Sequence, residues 1–176
     1  NPVAFALAAL LAHISGRYSR LLRTVYFVPA VLSLVVVTKL WVNIFNPTYG
    51  VLNKLLASLG LKALATSWLT NPHTALGAVI WIMIWQGFGW ALLFYYTGLM
   101  TVPQEIEEAA RLDGASWTKL FFNVSLPMMR PVIAIALVLR GVDILSNFAG
   151  VHIITQGTPG GATETVSYFI YRTAFK

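Results

Sequence analysis

Cysteine is absent from these 176 residues, which excludes a disulfide framework and any thiolate-bound metal. The histidines, His13, His73 and His152, stand far apart and offer no ligand spacing. Charge is scarce as well. Only 10% of residues are charged and 57% are hydrophobic, whereas a soluble domain carries about 25% charged residues. That balance excludes an ordinary soluble domain and puts the chain in a bilayer. Acid is the scarcest class, with six residues in all, and four of these (Glu105, Glu107, Glu108 and Asp113) fall within one short stretch. The net charge of +6 raises nucleic acid as a partner, yet the basic residues are spread singly and form no basic stripe, so the charge reads as membrane topology. No phosphate loop of the G-x-x-x-x-G-K-[ST] kind occurs, and no cluster of nucleophile, base and metal ligands suggests an enzyme. The chain opens on Asn1 without methionine or a signal-peptide layout, and it reads as a fragment.

What is present is apolar sequence in membrane-length runs. A bilayer core needs about 20 residues of helix. Residues 26–45, 76–100 and 127–149 qualify, and 2–14 reads as the tail of a further span. Asn46-Pro47 and Asn71-Pro72 predict turns around a short amphipathic helix at 51–60. Loops 15–25 and 101–130 carry six basic residues, against four in 46–75 and 150–176, which puts the first pair on the cytoplasmic side. Lys39 falls inside a span, from which it can snorkel. Trp41, Trp68, Tyr18 and Tyr49 read as interfacial anchors, and QGTPGGATET as a flexible external loop.

The acidic stretch predicts a helix over 103–114. Pro103 suits a first turn, Glu105, Glu107 and Glu108 complement the positive end of the helix dipole, and Gly114 stops it. At about 1.5 Å per residue such a helix is about 16 Å long, too short to span. Glu107 and Arg111 can pair at i, i+4, while Ile106, Ala109, Ala110 and Asp113 share a side whose small residues let another surface come close. Physics alone leaves two readings open, a docking element and a solvated loop helix.

The stretch EEAARLDGASWTKLFFNVSLP, residues 107–127, resembles the EAA signature of permease subunits of binding-protein-dependent ABC importers. Glu108, Ala109, Ala110, Gly114, Leu126 and Pro127 match it, with Val124 where the family usually has Ile. VPAVLS at 28–33, FNPTYGVLN at 45–53 and PGGATETVSYFIYRTAF at 159–175 are similar to the maltose-type sugar permease branch, so the resemblance covers essentially the whole chain. It implies an all-α polytopic bundle, the type I ABC importer transmembrane domain, here a single domain over 1–176 lacking its terminal spans. It implies that the 103–114 helix is a coupling helix, with Glu108, Ala109, Ala110, Asp113, Gly114, Leu126 and Pro127 serving contact with an ATPase. It further implies partners: ABC ATPase subunits that bind ATP and Mg themselves, a second permease subunit and an extracytoplasmic solute-binding protein. The chain itself then needs no cofactor, and its place is a bacterial or archaeal cytoplasmic membrane.

Polar groups inside spans are costly, so they mark candidate substrate contacts. Arg140, Asp143 and Asn147 recur at i, i+3 and i+7, and Gln86 and Trp90 at i, i+4, with Gly87 and Gly89 thinning the helix between them. A structural Arg140–Asp143 pair and glycine-mediated helix packing are the plainer readings. Hydroxyl-binding donors and acceptors beside aromatic faces suit a carbohydrate. The resemblance implies sugar contacts at Tyr26, Gln86, Gly87, Trp90, Arg140, Asp143, Ile144 and Asn147. Because Arg140 and Asp143 depart from the maltose pattern, maltose itself is not implied. A polyol or glycerol phosphate permease is the alternative, and a proton-coupled carrier using Asp143 a more distant one that lacks the expected internal repeats.

Overall fold

The computed structural model describes residues 2–13 and 16–175; residues 1, 14, 15 and 176, which include the last residue of the segment expected at 2–14 and the external-loop lysine, lie outside it. Every regular element among the described residues is helical: α1 Pro2–His13, α2 Arg17–Val31, α3 Leu34–Ile44, α4 Val51–Ser58, α5 Ala75–Leu99 and α6 Gln104–Leu112. After these come α7 Trp117–Met128, α8 Arg130–Leu145, α9 Ala149–Ile154 and α10 Val166–Phe175. Only α5 is long and apolar enough to cross a membrane by itself among the described residues. There are up to three such spans if α2 with α3, and α7 with α8, each count as one broken span.

The chain divides into two compact units, residues up to 30 with 87–141, and residues 31–86 with 142 onward. In the first, Ala4, Ala8 and Leu11 of α1 recur at i, i+4 and i+7 and are all but fully buried with Ala91, Leu92, Tyr95 and Leu99 of α5. Lipid tails are as apolar as leucine, so close packing has to hold such helices together, and small residues permit it. Phe5 meets Tyr95 edge-on at 5.3 Å. Ser19 Oγ donates to the Leu11 carbonyl at 2.9 Å and ties α2 to α1. Gly89 marks a close approach of α2 and α5, where an added Cβ would meet the Tyr26 carbonyl and lie 2.7 Å from Phe27 Cα. Gly98 does the same against α8, with Val132 Cγ1 at 2.8 Å.

In the second unit Val37 and Phe45 of α3 pack with Ala78 and Ile82 of α5, and Trp41, Trp68, Met83 and Trp85 close around them. Trp41 meets Trp85 edge-on at 5.4 Å, and Trp68 Nε1 donates to Asn53 Oδ1 at 2.8 Å. These two tryptophans, expected as interfacial anchors, also take part in packing within this unit. Asn46 Oδ1 accepts from the amides of Thr48 and Tyr49, which makes the expected turn before α4. The glycine-rich segment after α9, expected as a flexible external loop, carries its own hydrogen bonds. Thr155 and Thr163, both buried, share a hydroxyl bond of 2.7 Å, and Thr163 donates to the Thr158 carbonyl at 2.9 Å.

The uninterrupted helix expected at 26–45 is two helices. Ser33, extended at φ −62° and ψ 145°, caps α3 by accepting from the Val36 amide, and Pro29 earlier in α2 has no amide to donate. The helix expected over 127–149 likewise ends at Leu145, and α9 starts anew at Ala149. The loop expected at 15–25 is helical from Arg17.

Gly89 gives a clean test. Gly89→Ala should lower the melting temperature and yield of the detergent-purified protein, because backbone cannot move aside. Gly77→Ala, in the same helix with no atom within 4 Å of the added Cβ, should be neutral or stabilising by about 0.5–1 kcal/mol. Equal melting temperatures for the two variants would show that the α2–α5 approach does not need glycine.

Candidate functional site

The acidic stretch folds as expected into a short surface helix. Pro103 caps α6 in extended geometry, Glu105 and Glu107 occupy its first turn and Arg111 its last. Arg111 and Glu107 lie 3.8 Å apart, a partly exposed i, i+4 pair of small energetic weight. The helix closes on a two-bond turn: the Ala115 amide donates to the Ala110 carbonyl and the Gly114 amide to the Arg111 carbonyl, both at 3.0 Å. That turn needs a left-handed residue, and Gly114 supplies it at φ +77°. An added Cβ there would meet nothing within 4 Å, so the demand on residue 114 is conformational, not steric.

No residue of α6 is buried. Glu105, Glu108, Ala109 and Leu112 recur at i, i+3, i+4 and i+7 and are exposed, Leu112 to 89%. The opposite side carries the half-buried Glu107 and Ala110. Of the predicted coupling residues, Glu108, Ala109, Ala110, Asp113 and Gly114 thus share one short helix and its terminal turn. Leu126 and Pro127 do not; they lie on α7.

There the backbone is wider than an α-helix. Residues Phe121–Ser125 form a π turn, in which the Leu126 amide reaches back to the Phe121 carbonyl. Proline supplies the physical reason, since Pro127 has no amide for Asn123 and its ring crowds that carbonyl, which the wider turn accommodates. Helix α7 then meets α8 at a bend of 64°. A cleft of about 250 Å³ opens between the base of α6, the end of α5, α1 and α7. Gln104, Glu107 and Arg111 give it a polar side, while Ala9, Leu99, Phe121 and Ser125 line the rest.

The residues predicted to touch substrate divide between the two units. Tyr26, Gly87, Trp90 and Arg140 belong to the first and Gln86, Asp143, Ile144 and Asn147 to the second. Within the first, the Arg140 guanidinium lies directly against Gly87, where an added Cβ would be 2.8 Å from its central carbon. Tyr26 packs on Phe88 at 5.4 Å and Trp90 stacks on Phe94 at 5.0 Å, each leaving more than a third of its surface exposed. In the second, Gln86 Nε2 donates to the Leu32 carbonyl at 3.2 Å, which occupies a carbonyl freed by the α2–α3 break. Asn147 lies beyond the end of α8, so the helical face expected to join it to Arg140 and Asp143 does not extend that far. Its side chain accepts from the Gly150 amide at 3.2 Å and donates to Met83 Sδ at 3.1 Å. Asp143 and Ile144 are exposed. The break at Leu32 and Ser33 is the feature that spacing alone passed over; Pro29 followed by Ser33 in VPAVLS was its signal.

Sequence and structure comparisons bear on this arrangement. The profile of the family described as binding-protein-dependent transport system inner membrane component matches residues 3–176. A probable ABC transporter permease protein of Bacillus subtilis (strain 168) is 37% identical over 159 residues, 90% of this chain and 54% of the relative. The xylose/arabinose import permease protein of Haloferax volcanii is 37% identical over 171 residues, 97% of this chain and 53% of the relative. Among solved structures, a chain from a bacterial ABC transporter involved in the import of the acidic polysaccharide alginate superposes with a TM-score of 0.89 at 28% identity. That match covers 99% of this chain and 61% of the other. The chain thus spans about half the length of the curated relatives it matches, and its fold is that of an ABC importer's membrane-embedded chain.

The terminal turn of α6 yields a local test. Gly114→Ala should cost about 1–2 kcal/mol, the left-handed penalty of an ordinary residue, and speed amide exchange in the last turn of α6. Gly114→Asn should recover much of that protection, since Asn tolerates the left-handed region. Equal exchange in all three proteins would refute the conformational role of Gly114.

Proposed function

We propose that this chain, which belongs to the family of binding-protein-dependent transport system inner membrane components, is part of the permease subunit of an ATP-driven carbohydrate importer. The observation that carries the proposal is the EAA stretch folded as an exposed, sharply terminated helix within a chain of that family. A coupling element must be accessible to a soluble partner and rigid enough to pass on a displacement. Helix α6 offers an exposed face with Glu108, Ala109 and Leu112, and the Gly114 turn fixes its end. In this reading ABC ATPase subunits bind ATP and Mg and dock on that face. A second permease subunit completes the pathway, and an extracytoplasmic solute-binding protein delivers the solute. The chain resides in the cytoplasmic membrane of a bacterium or archaeon and catalyses no reaction itself.

Sugar import is supported by the relatives' names, which include permeases for xylose and arabinose and for lactose. It is supported equally by the chemistry of Trp90, Tyr26 and Arg140 within the first unit, aromatic faces and a charged hydrogen-bonding group that suit a hydroxyl-rich ring, and by the exposed carboxylate of Asp143 in the second. Gln86 and Asn147 hold backbone at helix ends, and they serve the pathway by keeping its shape. One relative, a sulfoquinovosyl glycerol permease of Agrobacterium fabrum, extends the solute class to glycosylated polyols.

Two measurements test this reading. Single cysteines at the exposed positions Ser116 and Ser58 should be labelled from opposite sides of the membrane, Ser116 from the cytoplasm; labelling from one side would overturn the topology. In the reconstituted importer, Asp143→Asn and Trp90→Ala should leave assembly intact while sugar uptake falls. Each lost hydrogen bond is worth about 0.5–1.5 kcal/mol, or about two- to twelvefold. Unchanged uptake in both variants would remove these residues from the solute pathway.

A further inference from the structure

We propose that the first two turns of α2 form a binding surface for anionic phospholipid, with Arg17 and Arg20 holding the headgroup phosphate; the proposal rests on reading the chain as a membrane permease. The rotation of α2 about its axis is set by two contacts on one side. Ser19 donates to the Leu11 carbonyl of α1, and the Arg23 guanidinium lies 4.0 Å from the centre of the Tyr96 ring of α5. Arg23 Nε also donates to the Ser19 carbonyl, which commits that arginine to the packed side. With positions 19 and 23 turned inward, the helical repeat divides the remaining surface into two sectors. Tyr18, Leu21, Leu22 and Val25 recur at i, i+3, i+4 and i+7 and are exposed to 76%, 60%, 37% and 56%. Arg17 and Arg20, at i and i+3, form an exposed basic edge beside that stripe.

Charge complementarity identifies the occupant. The sequence contains no aspartate or glutamate before Glu105, and neither Arg17 nor Arg20 pairs with a carboxylate among the described residues. An apolar stripe flanked by arginines that pair with no carboxylate among the described residues fits an element at the headgroup boundary, with the stripe against acyl chains and the guanidinium forks at phosphate level. Tyrosine at that depth is favoured by its apolar ring and polar tip. Because α2 is bonded to α1 and stacked on α5, a lipid held there would bear directly on the packing of the first unit.

The test uses the complete permease assembled with its partner subunits, purified in detergent and stripped of lipid. Phosphatidylglycerol, phosphatidylcholine or inorganic phosphate is then titrated, with binding read by native mass spectrometry and thermal stabilisation. Phosphatidylglycerol should bind more tightly than phosphatidylcholine, and the double variant Arg17→Gln, Arg20→Gln should bind it about 25-fold more weakly, roughly fivefold per arginine. Lys62→Gln, which removes one charge elsewhere, should leave binding unchanged. Millimolar inorganic phosphate should not displace the lipid; full displacement would reveal a simple anion site and overturn the assignment to lipid. Equal binding by wild type and double variant, or an equal loss in Lys62→Gln, would also overturn it. A complex that assembles and imports solute without any preference for anionic lipid sinks this proposal alone, whereas one that inserts in no membrane sinks the permease reading beneath it.

Discussion

A backbone amide or carbonyl left unpaired in an apolar medium costs several kcal/mol, and most of this chain's architecture follows from how it meets that cost where helices stop. Continuous helix solves the problem along α5. Elsewhere helices break, and side chains from the same unit take up the freed groups. Gln86 reaches the carbonyl of Leu32, Ser33 takes the Val36 amide, and Asn147 bonds the Gly150 amide while its own carbonyl accepts from Thr165. Polar residues in the spans are thus few and mostly assigned to backbone. Gln86 and Asn147, expected from spacing to face a solute, also bond backbone within their own unit.

Glycine is the second element of the design, and it serves opposite ends. At Gly89 and Gly98 the missing side chain is spatial, letting α5 touch α2 and α8 where packing and not water exclusion drives helix association. At Gly114 the surroundings are empty and the demand is conformational, a left-handed residue to close α6. Gly87 is of the first kind, with the neighbouring element being the Arg140 guanidinium. Charge at that position therefore depends on the width of a helix face one element away.

The segment proposed to couple to an ATPase joins a short capped helix to one with a wide turn. Helix α6 is short, capped and closed by two bonds. Helix α7, which follows it, carries a π turn and a proline, and bends sharply into α8. A displacement applied to α6 would be transmitted at the cleft that its Glu107 and Arg111 share with α1, α5 and α7, and absorbed at the wide turn.

Composition and local pattern by themselves determined the solvent, the class, the family resemblance and every element whose cause lies within a few residues. The α5 helix follows from its unbroken apolar run, α6 from Pro103, its glutamates and Gly114, and the turn before α4 from Asn46 and Pro47. Tertiary structure decided what depends on contact between distant residues. Trp41 and Trp68 read as membrane anchors, and their packing within the second unit appears only in the fold, because hydropathy does not register partner rings. The 26–45 helix read as continuous because Gln86, the side chain that takes up the freed Leu32 carbonyl, lies outside any local window, although Pro29 and Ser33 mark the break locally. Asn147 read as one more position on a helical face until the chain stopped α8 two residues earlier and used that side chain to start α9. A periodicity argument assumes that the helix continues, and whether it does depends on which side chains elsewhere can accept the ends.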